Sequence, residues 1–404
     1  MRNPDVLIVG AGPVGMFTAL SLARAGVDVA ILDQAARRAG HSYAVGLHPS
    51  SVLLLDQLGL LEPLLVHGQR IDGVTLHGAA GPRRAALEGL AGGRSFGLAV
   101  PQERLEEVLE EGLKRRGVPV SWNHRLSDLV ETPGEAPVAV VERLGRDSVG
   151  YAYAASATVV DRTRELRPRF LLGTDGHRST VAARLGVAAE PVAEAQTFVA
   201  FEVARGGDSG HDLHLLVDHR GVDVVWPLPG GRLRCTFELG TEDDVVSERI
   251  KDRHPWWVTP PGAAALLARL LEARAPWLAP VGQIGWTALA RFERRLARTW
   301  GRGRVWLLGD AVHLASPLAS HSLNRGLREG DALAGVVAAI LSGGAGEDAL
   351  EGWAERSRAE WEWLLRAPAA EAVWPGLDDG RLLPALPATG EALRELLDRI
   401  HVAA

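Results

Sequence analysis

The run Asp5-Val6-Leu7-Ile8-Val9 leads straight into Gly10-Ala11-Gly12-Pro13-Val14-Gly15, and an uncharged stretch continues to Ala23. No other segment restricts the fold as strongly. Because Val6 to Ala23 carries no charge, it competes as a signal peptide or a membrane span. The glycines and Pro13 decide against both, since a spanning helix of about 20 residues does not place a glycine turn near its start. A buried parallel strand, a tight turn and a helix account for the same residues. The helix reads from Met16 to Ala25 and is stopped by Gly26; Val27 to Leu32 is a second strand ending at Asp33. Together they make a βαβ unit.

The glycines of Gly10-x-Gly12-x-x-Gly15 permit a sharp turn and let a pyrophosphate approach backbone N–H groups at a helix N-terminus. Asp33 stands about 20 residues on, where a carboxylate binds an adenosine ribose hydroxyl. The motif alone does not separate FAD from NAD. Two later segments repeat the pattern of a strand entering a glycine turn with an aspartate. They are Leu171-Leu172-Gly173-Thr174-Asp175-Gly176-His177-Arg178-Ser179 and Arg304-Val305-Trp306-Leu307-Leu308-Gly309-Asp310-Ala311-Val312-His313. Taken singly, either reads equally well as a strand-to-helix turn with Asp as N-cap.

Elsewhere, helices are expected over 49–58 and from Pro101 to Gly117, the latter with a Leu105, Val108, Leu109, Leu113 stripe. Strands are expected at 72–78, 94–100, 118–122, 126–142, 169–172 and 304–308. Runs at 197–203, 212–217, 222–227 and 232–238, separated by Gly and Asp turns, predict an antiparallel sheet and a candidate substrate domain. A helix is expected from about Asn324 to Leu341, and two more at about 348–366 and 390–401. Composition closes off other classes. The chain has 404 residues with 44 Lys+Arg against 50 Asp+Glu, a net charge of −6, which argues against nucleic-acid binding. The lone cysteine, Cys235, excludes an intrachain disulfide and a Cys-based metal cluster. His211, His214 and His219 have no metal-ligand spacing. Lysine occurs only at Lys114 and Lys251. No membrane span or lipidation motif is read, and a cytoplasmic location is expected.

The three aspartate-glycine motifs, in this order and spacing, resemble the class A flavoprotein monooxygenases, the para-hydroxybenzoate hydroxylase-like family. The likeness is strongest at 5–33, 43–58, 101–124, 171–186 and 304–333. It implies an α/β fold: a Rossmann-like FAD-binding domain (1–70, 101–185 and 285–345), an antiparallel β-sheet substrate domain (71–100 and 186–284) and a C-terminal helical segment (346–404). It implies that Gly10, Gly12, Pro13, Gly15 and Asp33 bind the ADP half of FAD, and that Asp175 and Gly176 serve both FAD and NAD(P)H. Gly309 and Asp310 are expected on the ribityl chain, Gln102 on FAD, and Pro317, Leu323 and Asn324 at the isoalloxazine. The implied reaction is hydroxylation of an aromatic or polyketide-like small molecule with NAD(P)H and O₂, through a flavin C4a-hydroperoxide. The partners expected are that substrate and O₂, with no nucleic acid or membrane, in a monomer or homodimer. The extra thioredoxin-like domain of some larger relatives is expected to be absent.

The chain also departs from the family. Pro317-Leu318-Ala319-Ser320-His321-Ser322-Leu323-Asn324 replaces a glycine-rich loop, so any of these positions that needs φ > 0 is strained. Tyr43 and Ala182 stand where arginines are usual. His321 has two readings, a catalytic polar group near the flavin or a solvent-facing loop histidine. Trp226 and Arg234 fall on the expected substrate sheet, where Trp226 reads first as core. The alternatives left open are a flavoprotein reductase or oxidase on the same fold and a flavin-poor binding protein.

Overall fold

The computed structural model describes residues 3–38, 44–78, 81–149, 155–218, 221–240, 262–365 and 382–402. Tyr43 lies outside them. The short β-branched runs form a five-stranded sheet in the order Gly301–Arg302, Val305–Leu307, Phe170–Gly173, Val6–Val9, Val29–Leu32. The inner pairings are parallel, with Val9 beside Gly173 and Gly173 beside Leu307. Val6, Leu7 and Ile8 are 0 % exposed, as expected of strands covered on both faces. Helix Pro13–Arg24 follows the first strand, with Pro13 at its first position. It lies against the long helix His321–Leu341 and against Gln102–Arg115.

A seven-stranded sheet holds the other large strand set, in the order Ile284–Phe292, Gln196–Ala204, Arg232–Leu239, Gly221–Leu228, Asp212–Asp218, Gly73–Gly78, Gly81–Ala86. It is antiparallel except where Asp212–Asp218 runs parallel to Gly73–Gly78. The four runs between 196 and 239 are therefore not neighbours in chain order. Arg232–Leu239 intervenes between Gln196–Ala204 and Gly221–Leu228. A second, smaller core lies under this sheet, where helix Ala263–Arg274 contributes Leu266, Leu267, Leu270 and Leu271.

Several local expectations change. Residues 118–122 form no strand; only Ser121 bridges to Leu32, because Pro119 has no N–H to give a ladder and Asn123 turns the chain at φ +57°. Residues 126–142 are split by Pro133-Gly134, with Gly134 at φ +80°. They contribute to the antiparallel strands His124–Val130 and Val138–Val149. A third strand, Ala155–Leu166, completes that sheet. The expected helix from Asn324 begins three residues earlier, at His321. Among the described residues no helix is long and apolar enough to cross a membrane.

Two glycines fix how the first helix leaves the sheet. Gly10 sits at φ +107°, and a Cβ there would lie 2.4 Å from the Thr174 carbonyl oxygen. At Gly15 a Cβ would lie 2.0 Å from the Gly10 carbonyl oxygen. Gly15→Ala is therefore expected to lower the unfolding free energy by about 1–3 kcal/mol, through backbone that has no room to yield. Urea denaturation checks this, and an unchanged midpoint would contradict the close approach.

Candidate functional site

The three glycine turns, far apart in sequence, emerge side by side from the carboxyl ends of adjacent parallel strands. Thr174 joins the first two: its hydroxyl donates to the Val9 and Gly10 carbonyls at 3.0 and 2.7 Å. Leu308 N–H donates to Gly173 O at 3.1 Å and joins the second to the third. This edge, where strands of a parallel sheet end and helices begin, is the usual ligand crevice of such folds.

At the first turn, no side chain caps helix Pro13–Arg24, so its leading N–H groups remain available. No atom lies within 4 Å of a Cβ built on Gly12. Asp33 does more than its motif implies. One carboxylate oxygen accepts from Ala11 N–H at 2.7 Å and the other from Ala35 N–H at 2.8 Å. It fastens the glycine turn to the end of the second strand, and its half-exposed oxygens keep further lone pairs. Gln102 reaches the same corner, accepting from Ala44 N–H at 3.1 Å and donating to Glu106 at 2.8 Å.

At the second turn the capping reading describes Asp175. It accepts from Ser179 Oγ at 2.5 Å and from the N–H groups of Thr180 and Val181 at 2.6 and 3.2 Å. Burial raises its pKa against those hydrogen bonds. Gly176 follows at φ +78°. At the third turn the capping reading fails. Asp310 lies in a single 3₁₀ turn, Gly309–Ala311, with no side-chain cap bond. The Asp310 residue is exposed, and the protein packed around it raises the pKa of its carboxyl. It accepts no hydrogen bond from the described residues.

The turn under Asp310 rests on a residue the sequence reading missed. Glu329, 6 % exposed, accepts from Gly309 N–H at 3.3 Å, from His313 Nε2 at 2.8 Å and from Trp361 Nε1 at 2.6 Å. Burial alone would raise the Glu329 carboxyl; His313, Trp361 and Arg325 hold it below its ordinary value. His313 stacks on Trp361 at 3.9 Å. The only signal available was a Glu inside an apolar helix stripe.

The 317–324 segment is reshaped as its missing glycines imply. Ser320 takes φ +57° and caps the long helix, the one strained position there. His321 and Asn324 are 0 % exposed. His321 faces Leu383 O at 3.2 Å and lies edge-on to His48 at 5.0 Å. It is not a solvent-facing loop residue, and without an open face it reaches no cleft. Asn324 is a bolt: its amide donates to Gly46 O and Ser320 O, and its oxygen accepts from His48 N–H. Leu323 stays partly exposed. Pro317 borders a narrow pocket walled by Phe198, Trp226, Trp286 and Phe292, with Arg234 as its charge. Trp226, 1 % exposed, donates to Leu318 O at 3.0 Å. Arg234 is paired with Glu202 and lies 4.9 Å from the Trp286 ring.

The available N–H groups, the open space at Gly12 and the exposed acid at Asp310 fit a dinucleotide cofactor lying across the three turns. Comparison with known proteins agrees. Residues 3–367 match the family described as FAD binding domain. A 6-methylpretetramide 4-monooxygenase of Streptomyces rimosus is 30 % identical over 87 % of this chain, which spans 58 % of that relative's length. A para-nitrophenol 4-monooxygenase of a Pseudomonas species is 24 % identical over 91 % of this chain and 86 % of the relative. Among solved structures, a p-nitrophenol 4-monooxygenase from Pseudomonas putida superposes with a TM-score of 0.73 at 22 % identity, covering 100 % of this chain and 99 % of that one. A complex of aklavinone-11 hydroxylase with FAD and aklavinone gives 0.68 at 22 % identity, covering 96 % and 73 %.

Glu106 supplies a pH test of the corner beside Gln102. Burial pushes its carboxyl up to about 7, with Asp33 and Glu103 adding and Gln102 and Arg38 opposing. The folded chain then holds a proton that the unfolded chain releases at its ordinary value near 4.5. This stabilisation is present at low pH and is lost as the pH rises toward 7. Wild type is expected to lose about 2 kcal/mol more than Glu106→Gln between about pH 5 and 7.5. Asp223, also raised to about 7 by burial, is common to both and cancels. Parallel pH curves would contradict the shift.

Proposed function

The chain belongs to the FAD binding domain family of class A flavoprotein monooxygenases, and on that premise we propose that it hydroxylates an aromatic or polyketide-like small molecule with NAD(P)H and O₂. The observation that carries the reading is the meeting of two features. The three turns converge on one edge, and the aromatic pocket opens beside the same 317–324 segment that follows the third turn. The named substrates of the similar proteins, a pretetramide, p-nitrophenol and aklavinone, support an aromatic ligand. When bound, FAD supplies electron storage and activation of dioxygen.

The protein's own residues bind, orient and exclude water. N–H groups at the start of helix Pro13–Arg24 receive the pyrophosphate charge, aided by the positive end of the helix dipole. Asp310 accepts hydroxyl hydrogens within the cleft. The first N–H groups of helix His321–Leu341 sit past Ser320, because Asn324 N–H is already bonded to Ser320 O. That places the positive helix end at His321 to Leu323, where negative charge on a reduced ring is best met. Pro317, Phe198, Trp226, Trp286 and Phe292 give a planar substrate dry, rigid walls, and Arg234 gives a polar handle held in place by Glu202. On this reading 1–70, 101–185 and the part of 285–345 after Phe292 bind FAD. Residues 71–100 and 186–284 bind substrate, and strand Ile284–Phe292 goes with them because it pairs with Gln196–Ala204.

Asp310→Ala is expected to weaken FAD binding by about 1.5–3 kcal/mol, the value of a hydrogen bond to a charged acceptor. Fluorescence titration of flavin measures it, and unchanged affinity would contradict the placement. Against a panel of phenols and polycyclic aromatics, substrate is expected to stimulate NAD(P)H consumption and yield a product heavier by one oxygen atom. Stimulated turnover without oxygen incorporation would overturn the hydroxylase reading in favour of a reductase or oxidase.

A further inference from the structure

The sheet formed by His124–Val130, Val138–Val149 and Ala155–Leu166 carries two opposite faces of different character. On one face Arg125 is matched by Glu142 across the strands, at 3.1 and 2.6 Å. On the other, His124 stands beside Arg143 and Arg143 beside Arg162 in cross-strand register. Arg164, two residues along, stands beside Val141. Like charges directly opposite one another destabilise a sheet. Nevertheless, none of Arg143, Arg162 and Arg164 is paired with a carboxylate among the described residues, in a chain of net charge −6.

These side chains enclose a groove. His124, Arg143, Arg162 and Arg164 supply its polar wall, and Val141 and Leu166 its apolar floor, around a volume of about 190 Å³. The His124 ring contributes a directed group. Its Nδ1 lies 2.8 Å from Trp122 O, and since a carbonyl only accepts, Nδ1 carries the hydrogen and Nε2 is left for a ligand. The groove also has an address. His124 N–H donates to Asp33 O and Asn123 N–H to Ala35 O, each at 2.9 Å. Its first strand is therefore sewn to the loop that leaves the second strand of the parallel sheet, at the same carboxyl edge as the three turns.

We propose that this groove is a phosphate-binding site. Three converging guanidinium forks match a tetrahedral dianion, which accepts several charge-assisted hydrogen bonds and relieves the arginines' mutual repulsion. The phosphate comes from the phosphomonoester of a nucleotide reductant or from free inorganic phosphate. The first source rests on the proposed function; the site itself does not.

The test uses the full chain and follows the thermal midpoint against inorganic phosphate, with chloride holding ionic strength constant. Wild type and Arg125→Gln are expected to show the same saturable rise. The double variant Arg143→Gln/Arg162→Gln is expected to need at least tenfold more phosphate, and Arg164→Gln to show a smaller loss. The double variant's midpoint without phosphate, expected at or above wild type, verifies that it folds. NADPH and NADH titrations then identify the source. A tenfold preference for NADPH that disappears in the double variant assigns the groove to the dinucleotide's extra phosphate. Equal binding of both, with phosphate binding still lost in the double variant, assigns it to free phosphate. No rise beyond the chloride control, or an equal rise in the double variant, overturns the site. Flavin retention, read in the same samples, separates that failure from failure of the proposed function.

Discussion

The parallel register that sets Val9 beside Gly173 and Gly173 beside Leu307 is the constraint on which the rest depends. Strand pairing alone would leave three loops to wander at the sheet edge. Here they are joined: the Thr174 hydroxyl takes the carbonyls of Val9 and Gly10, and Gly10 and Gly15 let backbone meet backbone where any side chain would intervene. Val9 O also accepts from Thr174 N–H at 2.7 Å, so the hydroxyl matters most to Gly10 O, which would otherwise lack this partner at the end of a buried strand, at a cost of about 1–3 kcal/mol. The clamp therefore stabilises the fold while it aims backbone donors outward.

The third turn is held from below. Glu329 puts a carboxylate in the interior, which is costly unless it is fully hydrogen-bonded. Gly309 N–H, His313 and Trp361 together provide that, and Trp353 donates to the Glu329 carbonyl at 3.3 Å. Removing one partner would leave the others buried and unmatched, so the unit is stiff. The consequence at the surface is a fixed Asp310. The two acidic turns thus differ: Asp175 spends its oxygens on the helix that follows, while Asp310 is exposed and accepts no hydrogen bond from the described residues.

How far the sequence could be read followed the range of the forces involved. Strands, glycine turns and the stripe from Leu105 to Leu113 are local patterns, and they appeared close to where the periodicity placed them. The match of residues 3–367 to the FAD binding domain family agrees with what the motifs implied. What escaped was set by contacts distant in sequence. The order of the seven-stranded sheet depends on pairings that no single segment encodes. Pro119 broke a strand that its valines suggested, and Pro133-Gly134 split another. Glu329 and Thr174 act on residues far away in sequence, so neither stands out alone. His321 reads as a loop residue only until the helix is seen to begin there, its ring buried against His48 and the Leu383 carbonyl.

The central claim is that the three turns form one cofactor cradle despite the altered 317–324 segment, in which Ser320 alone takes the strained conformation. The most direct test is the visible absorption spectrum of the purified protein after incubation with FAD and passage through a desalting column. A flavin spectrum that stays with the protein, at one flavin per chain, is the predicted result. Protein that emerges without flavin would contradict the cradle, because open N–H groups and an exposed acid would then be serving some other ligand.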